Sequence, residues 1–173
     1  MRFYSGFSLH QEHTIFEPFL EEGDFTLSGF SLGAILAFEE ACTSRDRIDK
    51  LQLFSPAFFE DKDAKFKRMQ GFYFKKDKEA YIKNFLKNIA YPSSLDMQAY
   101  YHDSTPEALE KLLYFTWSQE QLQILREKGI MIEVYLGMED KIIDVQAVRD
   151  FFLPFASVIM IKNSGHILKE RDG

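Results

Sequence analysis

Apolar positions along this chain change period several times, and the changes mark its elements. Arg2-Phe-Tyr-Ser5 is short and aromatic and ends at Gly6, which predicts a strand and a turn. Ile15, Phe16, Phe19 and Leu20 recur at helical spacing between Glu12 and Glu22, so a helix is expected there, ending before Gly23. Phe25 to Ser28 reads as the next strand and Ala34 to Cys42 as the helix after it. Asp49 to Phe54 alternates like a third strand and stops at Ser55-Pro56. From about Ala57 to Lys128 the pattern is helical, Gly129 to Gly137 is a strand between two glycines, and Val145 to Phe152 is helical again. Ser157 to Ile161 is the last strand, followed by the turn Asn163-Ser-Gly165.

Strands alternating with helices predict an α/β fold with a parallel sheet covered on both faces. Residues 57–128 exceed one crossover and are expected to form a helical cap inserted into a single domain spanning 1–173. At 173 residues, with 46% hydrophobic and 16% aromatic content, the chain is long enough for one core without disulfides. The single Cys42 excludes an internal disulfide and a cysteine-rich zinc cluster, and fits a reducing compartment. No apolar run resembles a signal peptide or a bilayer span, so a cytoplasmic protein, monomeric and away from membranes, is the expectation.

Charge changes the picture in one place. The net charge of −6 argues against nucleic acid as a main partner. Residues 62–87, however, hold nine Lys or Arg against three acids, leaving the remainder of the chain at −12. Such asymmetry points to an acidic partner for that segment.

The candidate chemistry centres on Gly29-Phe30-Ser31-Leu32-Gly33, a G-x-S-x-G pattern between a strand and a helix. It resembles the nucleophile elbow of α/β-hydrolases, a sharp turn that lifts the serine Oγ above the sheet. In such a turn, strand and helix approach too closely for side chains at positions 29 and 33. The base and acid are expected later, in the order Ser, acid, His. Of four histidines, only His166 stands in a loop directly after a predicted final strand; His10, His13 and His102 read as solvated. Gly137 to Asp144 offers three carboxylates. Asp140 is the preferred acid, with Asp144, better explained as a helix N-cap, second. The backbone N–H groups of Leu32 and Phe7 are the expected oxyanion hole. No metal or organic cofactor is needed for this chemistry.

Only 24 positions separate Phe7 from Ser31, where a usual hydrolase has a further strand and helix. Deleting that unit still allows a right-handed crossover between neighbouring strands, so a minimal sheet of about five parallel strands is expected, with Arg2–Ser5 beside Phe25–Ser28. Phe58, Phe59, Phe66, Met69, Phe72 and Phe74, with the stripe from Tyr81 to Ile89, are expected to line an acyl tunnel beneath a basic rim. A helix simply packed on a core accounts for that stripe equally well.

Together, Ser5-Gly6-Phe7, the early Gly29–Ala34, Leu51–Pro56, Phe66–Gln70, Gly137–Ala147 and the late His166 resemble the BioV family. These are short pimeloyl-acyl carrier protein methyl ester esterases of Helicobacter-type bacteria. The resemblance implies a triad on Ser31, Asp140 and His166 and removal of the methyl group from the carrier-bound ester, the step before the biotin ring pathway. The histidine loop, Asn-Ser-Gly-His, departs from the family pattern, while His166 itself is kept. The acidic carrier would suit the basic segment, making Lys65, Lys67, Arg68, Lys75 and Lys76, with Phe58 and Phe72, candidate binding residues. A general carboxylesterase or thioesterase is the alternative. A catalytically dead fold acting as an interaction module is a third reading.

Overall fold

The computed structural model describes residues 1–172. Five strands, β1 (Arg2–Tyr4), β2 (Thr26–Phe30), β3 (Lys50–Phe54), β4 (Met131–Gly137) and β5 (Ser157–Ile161), form one sheet. Every neighbouring pair is parallel and the spatial order is the sequence order. Arg2 pairs with Leu27 and Tyr4 with Gly29, so the first strand lies directly beside the strand that carries the elbow. This is the minimal sheet expected from the short spacing.

Period-two alternation decides the two faces. Leu27, Gly29, Leu51, Leu53, Ile132, Val134 and Leu136 share one face, and α1 (Leu32–Thr43) lies over it: a Cβ on Gly29 would fall 2.1 Å from the Gly33 carbonyl oxygen. Also on this side is α6 (Val145–Phe152), because Trp117 packs at once on Phe38 of α1 and Phe152 of α6.

The opposite face is thinly covered. The expected helix over residues 12–22 is only a 3-10 turn, Glu12–Phe16. Pro18 has no N–H to donate, which stops the turn from propagating despite the helical spacing of its apolar residues. Its Phe16 stacks on Phe54 and packs tilted against Phe30, and Phe19 packs on Tyr135. Further along this face a polar network replaces a helix. Lys50, only 10% exposed in its side chain, bonds Glu21 and Glu133, and Gln52 donates to Glu133 at 3.0 Å.

Between β3 and β4 stand α2 (Ala64–Lys76), α3 (Lys78–Ala90), α4 (Pro106–Tyr114) and α5 (Gln119–Glu127). Each has a side-chain N-cap, from Asp63, Asp77, Thr105 and Ser118, so the breaks in the long helical stretch are capped ends. Helix α5 contacts α1 beside the sheet, while α2, α3 and α4 enclose a cavity with loops at the carboxyl end of the strands. Among the described residues, no helix is long and apolar enough to cross a membrane.

Candidate active site

Ser31 sits at the turn between β2 and α1 with φ 54° and ψ −111°, a conformation costly for a residue with a Cβ. Two close approaches hold it there. Gly29 lies against the backbone of Gly33, and Gly33 lies against β1: a Cβ on it would fall 1.9 Å from the Tyr4 carbonyl oxygen. The Ser31 N–H donates to the Phe54 carbonyl at 3.0 Å, and its own carbonyl accepts from Ala57 and Ala34.

His166 is fully buried in the loop after β5. Its ring packs 5.0 Å from that of Phe30, the residue before Ser31, and its carbonyl accepts the Ser55 hydroxyl at 2.7 Å. Since Ser31 bonds to Phe54 and His166 to Ser55, both are hung from the end of β3. The left-handed residue of the turn is Asn163, with φ 56°, rather than Gly165. Gly165 serves a close approach instead, for a Cβ there would meet the Tyr91 carbonyl oxygen at 1.7 Å.

Asp140 faces the imidazole. Its Oδ2 is 2.6 Å from His166 Nδ1, while Oδ1 accepts the N–H groups of Ile142 at 2.7 Å and Ile143 at 3.2 Å. Both side chains are sealed from solvent. Those backbone bonds fix the carboxylate's direction, and with Nδ1 facing the carboxylate, Nε2 is the ring nitrogen left for another partner. Asp144 caps α6 through Ala147 at 3.0 Å, and Glu139 lies 3.9 Å from Arg171, so neither competes for the ring.

Ser31 Oγ and His166 Nε2 are both buried and without a hydrogen-bond partner, so they do not bond to each other in this state. Two unpaired buried polar atoms are costly and mark a place built for something other than packing. Cys42 is no rival nucleophile, because burial pushes its thiol up to about 11 and leaves little thiolate at neutral pH.

Among the described residues, neither Phe7 N–H nor Leu32 N–H donates to a protein acceptor. Gly6 packs on the Phe30 ring, where a Cβ would approach to 2.8 Å, so the loop carrying Phe7 abuts the elbow. The next residues are stitched to the inserted helices: Leu9 bridges Tyr101, His10 N–H donates to Tyr100, and His102 N–H donates to Ser8.

A cavity of about 250 Å³ begins at Phe7 and Ile142 and extends under the helices. Phe59, Phe66, Tyr81 and Phe85 line it, with Leu109, Leu112 and Leu113 from α4. Gln70, Asn84, Asn88 and Lys141 add polar groups that the sequence did not single out for this place. Of the six aromatic and methionine positions expected there, only Phe59 and Phe66 line the cavity, and of the stripe only Tyr81 and Phe85; Met69 and Phe74 do not line it, and the two residues expected to bind substrate lie elsewhere. Phe58 is buried against Phe151 of α6, and Phe72 is 53% exposed beside Tyr73. The helical period explains the second: Phe66 and Gln70 are four apart and face the cavity, which turns Phe72 outward.

Phe72 instead joins a second cleft of about 270 Å³ on the outer side of α2, with Lys67, Arg68, Lys75 and Tyr114. Lys67 lies over the Tyr114 ring and Lys76 over the Phe72 ring, at 5.5 and 5.8 Å. Lys65 is exposed on the same helix and does not line the cleft.

No protein-family model matches this sequence. No curated protein matches it either. Solved structures do. A hydrolase from Oleispira antarctica superposes with TM-score 0.64 at 15% identity, over 83% of this chain and 58% of that one. MenH from S. aureus gives 0.63 at 16%, over 95% of this chain and 85% of that one. A carboxylesterase from Nitrososphaera gargenis gives 0.60 at 15%, over 83% and 58%. The fold is that of the α/β-hydrolases. The chain spans little more than half the length of several of these relatives in fold.

Proposed function

We propose that this protein is a serine esterase whose nucleophile is Ser31. The observation that carries the reading is the buried Asp140–His166 bond behind an unpartnered Ser31 held at a strained elbow. In the reaction, Ser31 Oγ attacks the ester carbonyl while His166 Nε2 accepts its proton, and Asp140 stabilises the imidazolium. Phe7 and Leu32 donate their N–H groups to the oxyanion. The alcohol leaves with the proton from His166, and water then releases the acid by the same steps. Because Ser31 Oγ is sealed from solvent, admitting an ester requires displacement of residues between it and the cavity.

The cavity suits an acyl chain of moderate length, since its wall is mostly aromatic and aliphatic. The finer reading is the methyl ester of a pimeloyl chain on acyl carrier protein, in biotin synthesis. It rests on the likeness to short methyl ester esterases and on the basic-aromatic cleft of α2 and α4. Leu109 and Leu113 line both that cleft and the cavity, so an acidic carrier docked outside would lie one helix away from the acyl site. Incubation with methyl pimeloyl-carrier protein tests this reading. Release of methanol with the thioester intact is expected; cleavage of the thioester, or hydrolysis of small esters alone, would favour a general thioesterase or carboxylesterase.

A further inference from the structure

One buried ionisable group has no part in the chemistry above. Glu12 is fully buried in the 3-10 turn, and among the described residues no lysine, arginine or histidine forms an ion pair with it. Its Oε1 accepts the Gly6 N–H at 2.6 Å, and its Oε2 has no hydrogen-bond partner. Burying a carboxylate is expensive, and a leucine would fill such a place at less cost unless the acceptor is needed.

The position suggests the need. Gly6 immediately precedes Phe7, and the Gly6 carbonyl accepts the Leu9 N–H at 3.2 Å. In a trans peptide the C=O and N–H point in opposite directions, so fixing the Gly6 carbonyl on Leu9 turns the Phe7 N–H the other way. The preceding peptide is fixed by Glu12 through the Gly6 N–H. Two consecutive peptide planes are therefore held, one by a main-chain group and one by Glu12. The far end of the same turn is anchored by Phe16, which packs on Phe30 beside the elbow at 4.8 Å. Glu12 thus ties the Phe7 loop to the base of the Ser31 turn.

We propose that Glu12 is a positioning residue for the oxyanion hole, acting through the Gly6 peptide to aim the Phe7 N–H; this rests on the esterase reading of Ser31. Without the acceptor, the loop would rotate and the donor would miss the developing oxyanion. Substrate binding, set by the cavity, would change little.

The test compares Glu12→Gln, which keeps a carbonyl acceptor, with Glu12→Leu, which does not, on a small p-nitrophenyl ester. Glu12→Leu is expected to lower kcat by roughly tenfold to a hundredfold, less than the loss of a whole oxyanion donor, with KM within about twofold. Affinity for an alkyl boronic acid, whose serine adduct mimics the tetrahedral state, should fall in the same proportion as kcat. Glu12→Gln should restore both to within about threefold of the unmodified enzyme, as the acceptor is kept. Unchanged kcat in Glu12→Leu, or equal losses in both variants, would overturn the assignment. If Glu12→Leu does not fold, the Gly6 amide proton decides by NMR. It should resonate well downfield and move upfield in Glu12→Gln; an ordinary shift that does not move overturns it. An unmodified enzyme that cleaves no ester and binds no boronate would remove the esterase reading itself, and this inference with it. Normal activity in Glu12→Leu would remove this inference alone.

Discussion

Gly33 lies against the carbonyl of Tyr4 so closely that a Cβ would fall 1.9 Å from the oxygen. Helix α1 thereby packs on the end of β1, which is possible because β1 and β2 are neighbours. Gly33→Ala should prevent this approach, since neither partner is a flexible side-chain tip. Destabilisation by about 3 kcal/mol or more, or failure to fold, is expected from such overpacking. Thermal unfolding checks it: a Tm unchanged from the unmodified chain would mean that β1 is placed differently.

The two candidate acids should separate cleanly. Asp140→Asn keeps an acceptor for one role but replaces the carboxylate that holds Nδ1 of His166, so kcat should fall by about 10²- to 10⁴-fold. Asp144→Ala should cost only about 1 kcal/mol of stability through loss of the α6 cap, with kcat nearly unchanged. Kinetics and denaturant unfolding on both variants provide the check. The reverse pattern would move the acid to Asp144.

Charge reversal at Lys67, Arg68 and Lys75 should raise KM for the carrier-bound ester by roughly tenfold at low salt, and less at high salt as screening weakens the attraction. Turnover of a small ester should not change. Steady-state assays at two ionic strengths read the difference. A matched loss on both substrates would assign these residues to the fold.

Much of the architecture was legible in the sequence because period-two and helical patterns are local. Val145–Phe152 and Ser157–Ile161 have the predicted ends. The short Phe7-to-Ser31 spacing gave the strand neighbourhood. Misreadings arose where a single residue outweighed the pattern or where tertiary contact decided. Pro18 cut the helix expected at 12–22 down to one turn. Helical phase separates Phe66 from Phe72 but does not tell which of them faces a cavity, because that is decided by how α2 packs against α3 and α4. Glu12 left no signal, since an acid at a helix start is ordinary dipole chemistry; its burial against Gly6 appears only in three dimensions. The alignment of Asp140 with His166 brings together residues 26 apart, and the loops supplied the order while the fold supplied the contact.

The central claim is that Ser31 is a nucleophile served by His166. Reaction with a fluorophosphonate followed by intact mass and peptide mapping tests it most directly. One phosphonyl group per chain, on Ser31, is predicted, with no labelling in Ser31→Ala and little in His166→Ala. Labelling elsewhere, or ester hydrolysis that survives Ser31→Ala in a folded protein, would contradict it.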